Sequence, residues 1–176
     1  MDFKCCETLQ YPLPLVWERM RDHLTDIATQ QDDIAYARVE KRIKKKPNAV
    51  HVISTWQADP PLPSFIKGFI RPEMLVWTDD SRWDNDTYIT YFHIATHYKV
   101  ENITCLGTIR FEPQARGKNT KIIFSGILTI AKTSRSSIFL TGFVIRAIEA
   151  IAGKLIVSNF VKVIKAVGET LPAAKT

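Results

Sequence analysis

The segment Ser136–Leu171, SSIFLTGFVIRAIEAIAGKLIVSNFVKVIKAVGETL, is the longest uninterrupted helical pattern in the chain. It contains no proline, Ser136 or Ser137 can cap its N-terminus, and Pro172 follows its end. At about 100° per residue, its apolar side chains gather on one broad face and its basic side chains on the other. The apolar face comprises Ile145, Ile148, Ala152, Leu155, Ile156, Phe160, Val163 and Val167. The segment therefore predicts one long amphipathic helix that another element must cover.

Two polar residues, Glu149 and Asn159, interrupt this apolar face. Burying a lone carboxylate is costly, so we expect Glu149 to be paired, protonated or in contact with a wet cavity. Polar groups in an apolar cavity commonly orient a ligand. The alternative for Glu149 is a position at the rim, where it pairs with Arg146 or Arg110. Asn159 has the same two interpretations.

Length and composition indicate one globular domain, residues 1–176, and the odd number of cysteines fits a reducing compartment. Of the 176 residues, 45% are hydrophobic and 24% are charged, and the net charge of +6 favours anionic partners. The N-terminal stretch lacks the apolar core of a signal peptide, and no apolar run reaches the ~18 residues of a membrane span, so a cytoplasmic location is expected. The three cysteines, Cys5, Cys6 and Cys105, show no zinc-ligand spacing. No metal or cofactor is expected.

The rest of the chain reads as a strand, a short helix and six further strands. The patterns predict a helix at Leu15–Leu24 and strands at Asp2–Tyr11, Ile34–Lys45, Ala49–Trp56, Glu73–Arg82, Thr87–Val100, Ile103–Glu112 and Lys121–Ala131. Hairpin-length links imply an antiparallel sheet, and a lone sheet must bury its apolar face against something. The C-terminal helix is the element large enough to do this. We therefore predict an α+β fold in which a curved sheet of about seven strands wraps around that helix.

This order of elements resembles the START-like superfamily, also called helix-grip or SRPBCC. The stretch ISTWQADPPLPSFIKGFIRPEMLVWTDDSRW, which begins at Ile53, is also similar to PRELI-type phospholipid-transfer proteins and to bacterial START-like families of unknown function. The resemblance lies in a strand, a Leu-Pro-Ser insert and a strand with a tryptophan. It implies a ligand cavity between the sheet and the C-terminal helix, and no functional residue of those families is carried over.

The insert from Leu62 to Arg71 has one apolar and one basic side if it is helical. Its apolar residues are Leu62, Phe65, Ile66, Phe69 and Ile70, and Lys67 and Arg71 are basic. The resemblance makes this insert a lid over the cavity mouth, and its mixed surface suits contact with an anionic membrane. The alternative is a short helix packed into the core.

A run of basic residues precedes Pro47, namely Arg38, Lys41, Arg42, Lys44, Lys45 and Lys46. They gather near a hairpin tip, where either a solvated surface or contact with anionic headgroups explains them. No aromatic RNA-binding pattern or helix-turn-helix accompanies them, so nucleic acid is not an expected partner.

Several strand residues are candidates for the cavity lining. Trp56, Trp77 and Phe92 are large apolar candidates, and His93 reaches a ligand headgroup if its face of the strand turns inward. The alternative places His93 on a polar outer face. Asp79, Asp80, Asp84 and Asp86 lack calcium-loop order and are interpreted as a solvated hairpin tip.

These patterns favour a protein that binds or transfers a lipid or another hydrophobic small molecule. The expected ligand-binding residues are Glu149, Asn159, Ala152, Ile148, Leu155, Ile156, Trp56, Trp77, Phe92 and His93. The alternative is an enzyme on the same fold, of the cyclase or hydrolase type, with Glu149 or His93 as general acid/base. No set of nucleophile, base and orienting residue supports it. An interaction module using the basic hairpin is a third possibility.

Overall fold

A computed structural model describes the backbone of residues 1–46, 48–59, 61, 72–96, 101–132 and 142–172. Within these ranges it describes every side chain except those of residues 45, 46, 72, 74, 101, 102, 130–132, 142–152 and 155. The strands are β1 (Asp2–Leu9), β2 (Ile34–Lys46), β3 (Ala49–Ala58), β4 (Val76–Asp84), β5 (Ile89–Thr96), β6 (Glu101–Gln114) and β7 (Asn119–Lys132). The helices are α1 (Leu13–Ala28) and α2 (Gly142–Thr170), and Pro72–Leu75 and Ala115–Gly117 form short 3-10 turns.

The strands form one antiparallel sheet in the order β1-β7-β6-β5-β4-β3-β2. The chain begins at one edge, α1 carries it to the opposite edge, and β2 to β7 return as consecutive hairpins. The sheet is curved, and its concave face holds the core together with both helices. The predicted α+β architecture, with about seven strands around a C-terminal helix, is confirmed.

Helix α1 is longer than the sequence pattern predicts. It begins at Leu13, includes Pro14 in its first turn and continues to Ala28, whereas the prediction ended at Leu24. Proline is compatible with the first helical turn because the N–H groups there have no partner within the helix. Leu13, Val16, Trp17 and Met20 are buried, and α1 therefore closes one end of the concave face.

Trp17 is the centre of an aromatic cluster at this closed end. Its ring lies 5.2 Å from Trp83, 5.4 Å from Tyr88 and 5.0 Å from Phe111, measured between centroids. Its Nε1 donates a hydrogen bond to Asn85 Oδ1 at 2.8 Å. Because the polar end of the indole is satisfied at the β4–β5 turn, the ring can be buried at 3% exposure.

Helix α2 follows β1 across the concave face. A Cβ at Gly153 would lie 1.9 Å from Met1 Cε, and one at Gly168 would lie 3.0 Å from Leu9 Cδ2, so the helix approaches this edge closely at both positions. Phe160 stacks on Phe124 with a centroid distance of 4.1 Å. The predicted caps Ser136 and Ser137 lie outside the described residues.

Candidate site on the concave face

The strand register places polar and apolar side chains in rows across the concave face. One row, read from β2 to β7, consists of Val39, Ser54, Asp79, Ile94, Cys105 and Leu128. Alternate residues of a strand point to the same face, so Trp77, Asp79, Ser81 and Trp83 of β4 all face the helices. This row therefore brings a carboxyl, a hydroxyl and a thiol into an otherwise apolar surface.

Asp79 is the acidic residue at the centre of this row. Its Oδ1 accepts a 2.6 Å hydrogen bond from Ser81 Oγ, and Ser81 is its only side-chain donor among the described residues. Burial raises the pKa of the Asp79 carboxyl from 3.8 to about 6, the hydrogen bond from Ser81 opposes this rise, and the charge of Asp80 adds to it. Asp79 is thus a desolvated carboxyl that still titrates close to neutral pH.

Ser54 lies directly opposite Asp79 on β3. Its hydroxyl accepts a 2.8 Å hydrogen bond from Trp56 Nε1. Trp56 in turn stacks on Trp77, with centroids 6.1 Å apart and planes 9° from parallel. The two indoles form a flat aromatic surface one row away from the carboxyl.

Cys105 does not supply a nucleophile to this site. Burial raises its pKa to about 11, the charge of Asp79 adds to the rise, and the amino group of Met1 opposes it. Only the thiolate is strongly nucleophilic, and at neutral pH this cysteine stays a thiol. The three cysteines are free, with Cys105 buried, Cys5 half-buried and Cys6 exposed on the opposite face of β1.

The concave face has a packed half and an open half. In the packed half, next to α1, the inward residues Val50, Trp83, Thr90, Ile109 and Phe124 are all buried. In the open half, Trp77, Asp79, Ile94, Thr96 and Ile103 keep part of their surface accessible, while the inward residues Ser54, Trp56, Cys105 and Leu128 beside them are buried. The described helices therefore do not fill the concave face evenly.

Helix α2 presents three partly buried residues to this face, Ile156, Phe160 and Val163. Asn159 lies on the same side, three residues after Ile156 and four before Val163. Its side-chain oxygen Oδ1 is buried and has no hydrogen-bond partner among the described residues. Buried polar atoms are nearly always paired, which makes this oxygen an available acceptor on the concave face.

The structure places Trp56, Trp77 and Phe92 on the concave face. Phe92 lies at the centre of this face and is 5% exposed. Ile156 and Asn159 face it from α2. Ile148, Glu149, Ala152 and Leu155 belong to α2, but their side chains lie outside the described residues. The proposed lid residues Leu62, Phe65, Ile66, Lys67, Phe69 and Ile70 lie outside them as well.

The expectation that His93 lines the cavity is wrong. Phe92 is the buried residue of this pair, and adjacent strand residues point to opposite faces, so His93 is exposed on the outer face. Arg110, named above as a partner for Glu149, is also exposed on that face.

The interpretation of the four aspartates as one hairpin tip is wrong for two of them. Asp84 and Asp86 flank the β4–β5 turn, whereas Asp79 and Asp80 lie within β4. Asp80 points outward and hydrogen-bonds His51, and Asp79 points inward. The alternation of side chains along β4 could have predicted this difference. Asp79 and Ser81 lie at every second position between Trp77 and Trp83 and therefore point to the same face as the two tryptophans.

The basic run before Pro47 is partly neutralised within the chain. Arg38 binds Glu40 at 2.8 Å, and Arg42 binds Asp22 of α1 at 2.6 Å. Lys41 and Lys44 are exposed. No described helix is long and apolar enough to cross a membrane.

Three solved structures share this architecture over nearly the whole chain. TTHA0849 from Thermus thermophilus is 17% identical with a TM-score of 0.65, covering 96% of this chain and 95% of that one. The Zhui aromatase/cyclase from Streptomyces sp. R1128 is 14% identical with a TM-score of 0.63, covering 96% and 92%. A conserved protein from Geobacillus kaustophilus is 11% identical with a TM-score of 0.51, covering 97% of each chain.

No family model and no curated protein matches the sequence. At these identities the three solved structures show the fold alone. They agree with the helix-grip type expected from the order of elements, while the resemblance to START-like and PRELI-type families has no sequence match behind it. The chain is therefore similar in fold to an aromatase/cyclase and to two proteins whose names state no activity.

Proposed function

We propose that the protein binds a hydrophobic small molecule between the open half of the concave face and α2. The observation that carries this proposal is the uneven packing of the face, where inward apolar side chains such as Trp77, Ile94 and Ile103 stay partly accessible. Ligand sites are typically concave and mostly apolar, with a few polar groups that orient the ligand. Asp79, Ser54 and Asn159 are such groups. Burial of the ligand's apolar surface supplies the affinity, at about 25 cal/mol per Å².

Binding of a neutral apolar dye such as Nile red tests this site. We expect micromolar affinity in the native protein, and a Kd raised at least tenfold by Ile94→Trp, which fills the open half. The matched control is Leu106→Asp, since Leu106 is 55% exposed on the outer face and, with its neighbour Ile127, offers an apolar dye a competing surface. Loss of binding in Leu106→Asp with no change in Ile94→Trp would overturn the proposal.

Mass spectrometry of molecules extracted from the purified protein would identify the ligand class. A lipid would support the finer proposal of lipid binding or transfer. In that case the lid segment at Leu62–Ile70 is proposed to contact an anionic membrane. Phe65→Asp with Phe69→Asp should then weaken binding to anionic vesicles while leaving the free energy of unfolding within about 1 kcal/mol. A larger loss of stability would assign these rings to the core.

An enzyme on the same fold is the second candidate, and one observation favours it. The pKa of Asp79, at about 6, lies in the range that suits general acid/base catalysis near neutral pH. His93 is excluded from this role by its outward position. Incubation of the protein with its extracted ligand discriminates the candidates, since an enzyme changes the mass or spectrum of that molecule and a binding protein returns it unchanged.

A further inference from the structure

The Asp79 carboxyl lacks a cationic partner among the described residues. Several basic side chains on the helices, and Arg42 of β2, bind other groups. Arg21 and Arg42 bind Asp22. Arg19 binds Thr170, and Lys162 binds Asp33. Arg82, the neighbour of Ser81 on β4, is exposed on the outer face. At neutral pH the site therefore holds a negative charge that a single hydroxyl donor stabilises.

The aromatic surface beside Asp79 favours a cationic partner, as the negative charge of Asp79 does. Trp77 is two residues from Asp79 on β4 and faces the same side, and it stacks on Trp56. A cation over an indole face is attracted to the negative charge density of the ring. A carboxylate next to indole rings within an apolar surface is thus chemically suited to an organic cation with an apolar body.

We infer that the molecule bound in the open half is an apolar amine, whose protonated nitrogen pairs with Asp79 beside Trp77. This inference rests on the proposed function and names the class of its ligand. An alcohol can also donate a hydrogen bond to Asp79, but it leaves the partly buried charge without a counterion. A metal ion is a poor match, because one carboxylate and one hydroxyl supply too few ligands. The apolar body lies against Ile94 and Ile103.

Among the described residues, the titratable groups that share the concave face with Asp79 include Glu7 on β1 and Cys105 on β6, and neither carries a positive charge. The amino group of Met1 is a cation on this side of the sheet, but it donates its hydrogen bond to Leu128 O at 2.7 Å and not to Asp79. On α2, the described Lys162 binds Asp33 and Lys154 is exposed. On α1, Arg21 binds Asp22, and His23 lies beside Asp26.

Octylamine and octanol are matched probes of this inference, because they share a chain and differ in charge. By calorimetry at pH 7.5 we expect octylamine to bind at least tenfold more tightly than octanol. Asp79→Asn keeps the shape of the side chain and should weaken octylamine about 10- to 100-fold, as loss of a charge-assisted hydrogen bond does, while leaving octanol unchanged. Asp32→Asn is the matched control, since it makes the same change at an exposed position outside the sheet.

The pH dependence adds a second readout. Octylamine stays protonated between pH 5 and 7, so its affinity should follow the ionisation of Asp79. With a pKa of about 6, the Kd for octylamine should rise about tenfold from pH 7 to pH 5, and the Kd for octanol should stay constant.

The outcomes separate this inference from the proposed function. Equal affinity for the two probes, or an octylamine affinity unaffected by Asp79→Asn or by pH, overturns the amine inference. If Ile94→Trp still abolishes dye binding in that case, the site itself stands. If neither probe binds and the dye is insensitive to Ile94→Trp, the proposed function fails as well.

Discussion

Replacing Asp79 by asparagine should make the protein more stable at neutral pH, although the residue lies at the centre of the candidate site. The substitution keeps the side-chain shape and the oxygen that accepts the hydrogen bond from Ser81, and it removes the charge. Burial raises the pKa of Asp79 from 3.8 to about 6, so the folded protein holds this proton more tightly than the unfolded chain does. A difference of about two pKa units corresponds to about 3 kcal/mol, and new unpaired N–H groups of asparagine reduce the expected gain to about 1–3 kcal/mol.

The sign of the pH dependence follows from the same proton. Between about pH 4 and pH 6 the folded state binds more protons at Asp79, so the stability of the native protein falls as the pH rises through this window. The advantage of Asp79→Asn should thus be complete above about pH 6 and should shrink towards pH 4. The pKa of Asp22 is lowered mainly by its hydrogen bond from Arg21, so protonation of Asp22 in acid destabilises the folded state. This loss of stability occurs in both proteins and cancels in the difference between their unfolding free energies.

Urea denaturation followed by tryptophan fluorescence, at several pH values between 4 and 8 and without added ligand, measures this difference. Asp32→Asn is again the control, because Asp32 is exposed and lies outside the sheet. An Asp79→Asn protein that is no more stable than the native protein at pH 7.5, or a difference that does not change with pH, would refute the assignment of Asp79 as a desolvated carboxyl.

Substitutions at Phe160, Gly107 and Lys162 test the packing that positions the site. Phe160→Ala removes the ring stacked on Phe124 and should cost about 3 kcal/mol of unfolding free energy, whereas Phe160→Leu should cost less than about 1.5 kcal/mol; equal losses would contradict the stack. Gly107→Ala places a Cβ 2.2 Å from Ser125 O and 2.6 Å from Phe92 Cζ, so denaturation should show a loss of about 2 kcal/mol or more; an unchanged midpoint would contradict this close approach. Lys162→Met leaves the buried Asp33 without its 2.6 Å partner and should cost about 1–3 kcal/mol of unfolding free energy. In a double-mutant cycle, Asp33→Asn should restore much of this loss, and strictly additive losses would show that the pair is not coupled.

Much of the fold could be predicted because its elements are encoded locally. Each of the seven strands has an alternating or apolar run bounded by turn residues, and the short links from β2 to β3 and from β4 through β7 permit only antiparallel neighbours. The longer connection from Ala58 to Val76 does not by itself fix the pairing of β3 with β4. The start of α1 was predicted at Leu15 instead of Leu13 because Pro14 looks like a helix breaker in the sequence. In the structure it occupies the first turn, where proline is tolerated.

The candidate site was only partly predictable. The apolar face of α2 and the pair Trp56 and Trp77 were recognised from residue type, while Asp79, Ser54 and Ser81 were missed. Four aspartates within eight residues resemble a solvated turn when only the composition of the segment is considered. The alternation of side chains along β4 distinguishes Asp79, which faces the same side as Trp77, from Asp80, which faces the opposite side.

By itself, the sequence determined the order of the elements and which residues share a side of each strand or helix, since both follow from the geometry of the local backbone. It therefore determined that His93 and Phe92 point in opposite directions. Only the tertiary structure decided which side is inside, because that depends on strand partners and on helices far away in the chain. Phe92 turns inward over Gly107, where a side chain would leave no room for its ring. The same long-range packing desolvates Asp79, and a desolvation free energy is a property of the surrounding protein and not of the aspartate.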